Sequence, residues 1–210
     1  MNLKNIFSEL NETLEKLDQD REKILKISRI IIRDCSIAIK HIHRREFKEF
    51  QEKINNVEIN HEKLVSLVNE DRGVFFKYLK VPEQEYAEAV LLYSIISRKN
   101  FPLPDELKIN PLNYILGLAD VIGELRRYAL DNIRNSQITD LNGILESMDE
   151  VYTHLFSLDY PSGITQDLRR KTDIARNIIE KTRGDISISH QMNNLKRCIE
   201  DNLEDKKRKI

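Results

Sequence analysis

The chain has 210 residues, 40% of them hydrophobic and 33% charged, a size that a single hydrophobic core can serve. Its 35 acidic residues balance 34 basic ones to a net charge of −1, which excludes a protein that coats nucleic acid by bulk charge and leaves any phosphate contact to a local patch. Two cysteines, Cys35 and Cys198, are too few and too far apart for a disulfide framework or a thiolate metal centre, so two reduced thiols packed on helices are expected.

The opening Met1-Asn2-Leu3-Lys4 lacks the basic-then-apolar pattern of a secretory leader. The longest apolar run, around Ile30–Ile32, is cut by Arg33 and Asp34, far short of the roughly 18 residues that span a bilayer. A cytoplasmic protein without a membrane partner is expected. None of the 6 glycines and 5 prolines precedes Gly73, and that breaker-free stretch, rich in Leu, Ile, Lys and Glu, predicts long helices over 1–70. Leu3, Ile6, Phe7, Leu10, Leu14 and Leu17 form one helical stripe. Ile24, Ile27, Ile31, Cys35, Ala38 and Ile42 form a second, and Phe50, Ile54, Val57, His61, Leu64 and Val68 a third.

Asp71-Arg72-Gly73 interrupts the pattern before a short segment to Lys80. With Pro82 as an early helical residue, a helix runs from about Glu83 to Lys99. The connector Asn100-Phe101-Pro102-Leu103-Pro104 follows. Asn110 then caps, and Pro111 opens, a helix to about Asn135, so that 82–135 holds two helices. Thr139 or Asp140 caps another, bearing Leu141, Ile144, Met148, Val151 and Leu155. After a turn at Asp159–Gly163, Ile164, Leu168, Thr172, Ala175 and Ile179 lead to a break at Gly184. Ile188, Met192, Leu195, Ile199 and Leu203 mark a last helix before the basic tail Lys206–Lys209, completing C-terminal helices over 139–205. The expected fold class is all-α: about seven helices and no strands, in a single elongated helical-bundle domain over 1–210.

Two of these helices are apolar in nearly every direction and should be buried, yet both carry acids. Glu85 and Glu88, three apart, share one face among Tyr86, Ala87, Ala89, Val90, Leu91 and Leu92. Asp120 and Glu124, four apart, share another among Leu116, Leu118, Ala119, Val121, Ile122 and Leu125. A buried carboxylate must be paired, bind a metal or stay protonated. Four carboxylates from adjacent helices would make an oxygen-only site suited to Mg²⁺ or Mn²⁺ rather than zinc or copper. The alternative is ion pairing with Arg98, Arg126, Arg127 or another base, the commoner outcome for such spacing. A ferritin-like di-iron site is disfavoured, since no histidine follows Glu85, Glu88 or Glu124 at the required spacing.

The words around the acids resemble the two signature segments of the translin/Trax family: Gln84-Glu85-Tyr86-Ala87-Glu88-Ala89-Val90, and Asn110-Pro111-Leu112-Asn113-Tyr114-Ile115-Leu116-Gly117-Leu118-Ala119-Asp120-Val121-Ile122-Gly123-Glu124-Leu125-Arg126-Arg127. Ile6-Phe7-Ser8-Glu9-Leu10, Asp20-Arg21-Glu22-Lys23-Ile24 and Thr182-Arg183-Gly184 are also similar to translin, so the resemblance runs in order over most of the chain. It implies helical subunits that assemble into closed, roughly octameric shells with an internal cavity. Translin itself binds single-stranded RNA and DNA, and Trax supplies a Mg²⁺-dependent ribonuclease activity from carboxylates inside the shell. Carried over by motif, those acids are Glu85, Glu88 and Asp120, with Glu124 as a fourth. Translin lacks the paired glutamates, so this chain is similar to Trax where the chemistry lies. Its translin-like start and short Lys99–Asn110 connector imply a homo-oligomer.

Other residues have ordinary readings beside functional ones. His61 lies on the third apolar stripe and is expected as a hydrogen-bonded core histidine. His41, His43, Arg44 and Arg45 complement a helix C-terminus, the alternative being a phosphate patch. Lys77 and Lys80, before the glutamate helix, and Arg126 and Arg127, after Glu124, either hold RNA phosphates or neutralise the acids. Arg169-Arg170-Lys171 is expected as a solvated face. Base stacking would fall to Phe75, Phe76, Tyr78 or Tyr86, as there is no tryptophan. The expected function is a Mg²⁺- or Mn²⁺-dependent endoribonuclease acting on single-stranded RNA. The alternatives are a non-catalytic oligomer that binds single-stranded RNA or DNA, and a helical scaffold without nucleic acid.

Overall fold

The computed structural model is helical throughout, as a chain so poor in breakers dictates. It describes residues 3–70, 73–137 and 140–208, with side chains as far as Leu203, and contains no strand among them. The predicted interruption at Asp71-Arg72 and the candidate cap Thr139 lie outside the described residues. The chain divides into two compact units, Met1–Gly117 and Leu118–Ile210.

The first unit contains α1 (Leu3–His43), α2 (Phe47–Glu70), a 3-10 turn (Phe76–Tyr78), α3 (Lys80–Ile96) and the first two turns of α4 (Pro111–Arg134). α1 is one helix of 41 residues, a correction to the two helices its separate stripes predict. The residues between the stripes, Asp18 to Lys23, include neither Gly nor Pro, so nothing stops propagation. At its end Arg45 adopts a left-handed φ of 60°, and the Arg45 and Glu46 N–H groups donate to Ile42 and His41 carbonyls at 2.9 Å each. That turn starts α2, and α1 packs on both α2 and α3.

The core of this unit joins Ile24, Ile31, Cys35, Ala38 and Ile42 of α1 with Phe50, Ile54, Val57, Leu64 and Val68 of α2 and Ala87, Leu91 and Leu92 of α3, all buried. Each fully buried Leu, Ile or Phe contributes about 1.5–3 kcal/mol. Phe50 stacks on Tyr93 with ring centres 4.3 Å apart, tying the start of α2 to the end of α3. The N-terminal stripe is real but faces outward: Leu3, Ile6, Phe7, Leu10 and Leu14 are all exposed.

The second unit contains the rest of α4, α5 (Leu141–Phe156), a single helical turn α6 (Ser162–Thr165) and α7 (Leu168–Arg208). Asp140 takes the N-cap position of α5. α5 packs on α7, with Leu141, Ile144, Met148, Val151 and Leu155 buried on one side and Leu168, Thr172, Ala175, Ile179, Thr182 and Ile186 on the other. The break expected at Gly184 is absent, and α7 runs through it for 41 residues. A lone glycine costs a helix only about 1 kcal/mol, and Thr182 and Ile186 are buried on either side of it. Beyond Ile186 the apolar stripe turns outward: Ile188, Met192, Leu195, Ile199 and Leu203 are exposed. No helix among the described residues is long and apolar enough to cross a membrane.

Candidate functional site

In the first unit one acid of α3, Glu83, holds a polar cluster at the start of α4. Asn110 caps α4 as expected, its Oδ1 accepting the Leu112 N–H at 2.8 Å. Glu83, 2% exposed, accepts hydrogen bonds from the Asn110 N–H at 2.9 Å and Asn113 Nδ2 at 2.8 Å, and pairs with His61 Nε2 at 3.2 Å. Burial pushes the Glu83 carboxyl up, but the hydrogen bonds from His61, Asn113 and the Asn110 N–H outweigh it and hold the group below its ordinary value. His61 is thus the hydrogen-bonded core histidine its stripe predicts. Glu83, one acid among 35, carried no signal of its own.

One turn further along, α3 and α4 touch backbone to backbone. A Cβ added at Gly117 would lie 2.5 Å from the Gln84 carbonyl oxygen, 2.8 Å from Ala87 Cβ and 3.2 Å from the Glu88 nitrogen. Only glycine permits that approach, which sets the first two turns of α4 directly against the segment bearing Glu85 and Glu88. Both glutamates are half-buried. They bear on α1: burial raises the Cys35 thiol well above its usual range, and the charges of Glu85, Asp34 and Glu88 raise it further. Both cysteines are free, Cys35 buried as expected and Cys198 exposed instead.

In the second unit Asp120 and Glu124 lie one turn apart on α4, both half-buried. Lys171 of α7 donates to both Asp120 oxygens, with Nζ 2.5 Å from Oδ2. This corrects the reading of Arg169-Arg170-Lys171 as a solvated face: the two arginines are exposed, whereas Lys171 turns inward. Glu124 pairs with Arg127 at 3.6 Å. Arg126 donates to Thr182 Oγ1 at 3.0 Å and pairs with Asp185 at 2.9 Å. A pocket of about 160 Å³ beside Asp120 is bordered by Gly123, Arg170, Lys171 and Ile174.

Lys77, in the 3-10 turn, is exposed and lies 5.2 Å from the centre of the Tyr78 ring, while Lys80 is half-buried at the start of α3. Among the aromatic candidates for stacking, Phe75 and Tyr86 are buried in the core and Phe76 is exposed. Tyr86 donates its hydroxyl to Glu58 at 3.2 Å. Among the described residues no three His, Cys, Asp or Glu side chains are grouped to hold a metal ion as they stand. Each pair by itself, Glu85 with Glu88 and Asp120 with Glu124, offers only oxygen donors, the donor chemistry that a hard divalent cation takes.

Residues 9–183, spanning both units, match the profile of the Translin family. The chain belongs to the translin family. This translin-family chain is 43% identical over 183 residues to an uncharacterized protein of Methanocaldococcus jannaschii, a match covering 85% of this chain and 81% of that one. It is 26% identical over 192 residues to the translin-associated protein X homolog of Schizosaccharomyces pombe, covering 80% of each. Among solved structures it is similar to AfC3PO in its complex with duplex RNA, with 28% identity and a TM-score of 0.80 over 89% of this chain and 97% of that one. The translin-type helical fold expected from the signature segments is therefore the fold of this chain.

Proposed function

We propose that this translin-family chain is a metal-dependent endoribonuclease of the cytoplasm, acting on single-stranded RNA within a homo-oligomeric, octameric shell. The observation that carries this reading is the pair Glu85 and Glu88, two half-buried carboxylates one turn apart on α3 among the buried Tyr86, Ala87, Ala89, Leu91 and Leu92. Glu85 and Glu88 from α3, with Asp120 and Glu124 from α4, would hold Mg²⁺ or Mn²⁺. Bound there, the metal would lower the pKa of a water and offset negative charge on the phosphate under attack.

Lys77, Lys80 and Arg127 are the cations proposed to hold RNA phosphates, whereas Arg126 reaches RNA only by leaving Thr182 and Asp185. Phe76, exposed beside Lys77, is the candidate for stacking on a base. The outward apolar stripes of α1 and α7 support assembly, because contiguous exposed apolar surface marks an interface. Similarity to a structure of AfC3PO with duplex RNA supports RNA as the ligand, with single-stranded DNA proposed as a second one.

A non-catalytic RNA- or DNA-binding oligomer is favoured instead by the Asp120–Lys171 and Glu124–Arg127 pairs, which neutralise two of the acids without a metal. Cleavage of labelled single-stranded and duplex RNA by wild type and Glu85→Ala, with Mg²⁺, Mn²⁺ or EDTA, separates the two readings. The expected result is metal-dependent cleavage of single strands, lost in the variant while assembly and RNA binding persist. Binding without cleavage under every condition would leave the non-catalytic oligomer.

A further inference from the structure

One end of the first unit is strongly basic, although the chain as a whole carries a net charge of −1. Residues 40–49 hold Lys40, Arg44, Arg45 and Lys48 against Glu46 and Glu49, and all four cations are exposed. Glu46 is already engaged by His41 Nδ1 at 2.6 Å. Tyr93 ties the end of α3 to this turn. Phe47 meets its ring edge-on with centres 5.6 Å apart, Phe50 stacks on it, and Lys99 Nζ donates to its hydroxyl at 2.9 Å. Arg98 and Lys99, just past α3, thereby join the cations of the α1–α2 turn.

The dipole of α1 accounts for Lys40 in its last turn, where cations are favoured. It does not account for Lys48, which lies in the first turn of α2, where the dipole disfavours a cation. Nor does it call for an aromatic ring among the charges. Phe47 is 36% exposed, and its ring is braced by Tyr93 before any ligand arrives. Cations set around a fixed, partly exposed ring are what a sequence-tolerant site for a single strand needs: charge for the backbone and a surface for a base.

We propose that the α1–α2 turn and the end of α3 form a second contact surface for single-stranded RNA, with Arg44, Arg45, Lys48 and Lys99 on phosphates and Phe47 stacked on a base. The inference rests on RNA being the ligand, as the proposed function has it, but not on cleavage. Along α3 the patch begins about 12 Å from Glu88, the rise from there to Ile96. It therefore holds the strand away from the carboxylates and contributes to affinity rather than to the chemical step.

Fluorescence anisotropy of a labelled oligouridylate, in EDTA so that no strand is cut, tests this. In Arg44→Gln with Lys48→Gln the slope of log K against log salt should become shallower by about 1.4, since each phosphate contact on a single strand contributes about 0.7. Phe47→Leu keeps an apolar side chain against Tyr93 and should weaken binding about fivefold through the lost stack, with the salt slope unchanged. Arg44→Lys with Lys48→Arg should bind as wild type. Acetylation of lysines in the wild-type protein, read by mass spectrometry, needs no substitution: RNA should protect Lys48 and Lys99. An unchanged salt slope in the double glutamine variant, with a cooperative thermal transition retained, overturns the proposal. If that variant does not fold, equal acetylation of Lys48 and Lys99 with and without RNA overturns it instead. A double variant that loses affinity for vesicles of anionic lipid but not for RNA would make the patch a membrane contact and overturn it too. Absence of RNA binding by wild type would overturn both this surface and RNA as the ligand. The expected change in slope without cleavage under any metal would remove the nuclease and leave this surface standing.

Discussion

Glu83 binds three partners at once: a ring nitrogen of α2, the amide of Asn113 and a main-chain N–H at the mouth of α4. Because its folded-state pKa is depressed, the unfolded chain takes up the proton first as pH falls. Its contribution is therefore complete above the ordinary glutamate value of about 4.3 and drains away as pH drops through the lower folded value. Glu83→Gln keeps the shape but sets an amide against an amide at Asn113. It is expected to cost about 1–3 kcal/mol near pH 6. The gap from wild type should narrow when urea unfolding is repeated near pH 3.5. A gap of constant size across that range would mean that the carboxylate charge is not what the cluster uses. None of this was legible in the sequence, where Glu83 reads as a first-turn helical acid. Its importance comes from three partners that only the folded chain brings to it. Lys171 was hidden differently, inside a basic run that reads as solvated.

At the scale of elements, two glycines in helices call for opposite expectations. Gly117 sits where α4 meets the α3 backbone, so Gly117→Ala forces a methyl against the Gln84 carbonyl and Ala87. Overpacking of 1–3 kcal/mol exceeds the helix propensity gained, which is about 1 kcal/mol. At Gly184 an added Cβ meets nothing within 4 Å. Gly184→Ala should therefore stabilise by up to about 1 kcal/mol. Thermal denaturation of the two variants should move Tm in opposite directions, and a Gly117→Ala protein as stable as wild type would show that the helices can separate without cost. Helix starts were well marked in the sequence, because a cap such as Asn110 followed by Pro111 acts locally. Helix continuity was not: a shift in the phase of the apolar stripe looks the same whether the helix ends or the buried face simply runs out. That ambiguity split α1 and α7 in two. It also left unseen that the outer stripe of each helix faces solvent.

For the whole molecule, those outer stripes decide whether a single chain of 24.8 kDa is the form that exists in solution. Leu10 and Leu14 on α1, and Met192 and Leu195 on α7, add little to the core of their own units, being about half exposed or more. Met192→Glu with Leu195→Glu should consequently leave helicity intact while lowering the mass measured by light scattering towards that of fewer chains. An assembly indifferent to these charges, and to the corresponding pair on α1, would place the contact between subunits elsewhere. The carboxylate pair was legible because its surroundings are so apolar, and the resemblance to translin and Trax extended it to α4. Which cations neutralise those acids depends on how α7 lies along the second unit, and no local pattern encodes that.

The contrast between the two cysteines equips the protein for spectroscopy without further engineering. Cys35 is sealed in the core and its thiolate is disfavoured by burial and by neighbouring acids, so a maleimide has neither access nor a nucleophile there. Cys198 stands exposed between Leu195 and Ile199 on the outward stripe of α7. A dye attached to it sits on the outward apolar stripe of α7, so a change in its emission on assembly would report a subunit docking on that stripe.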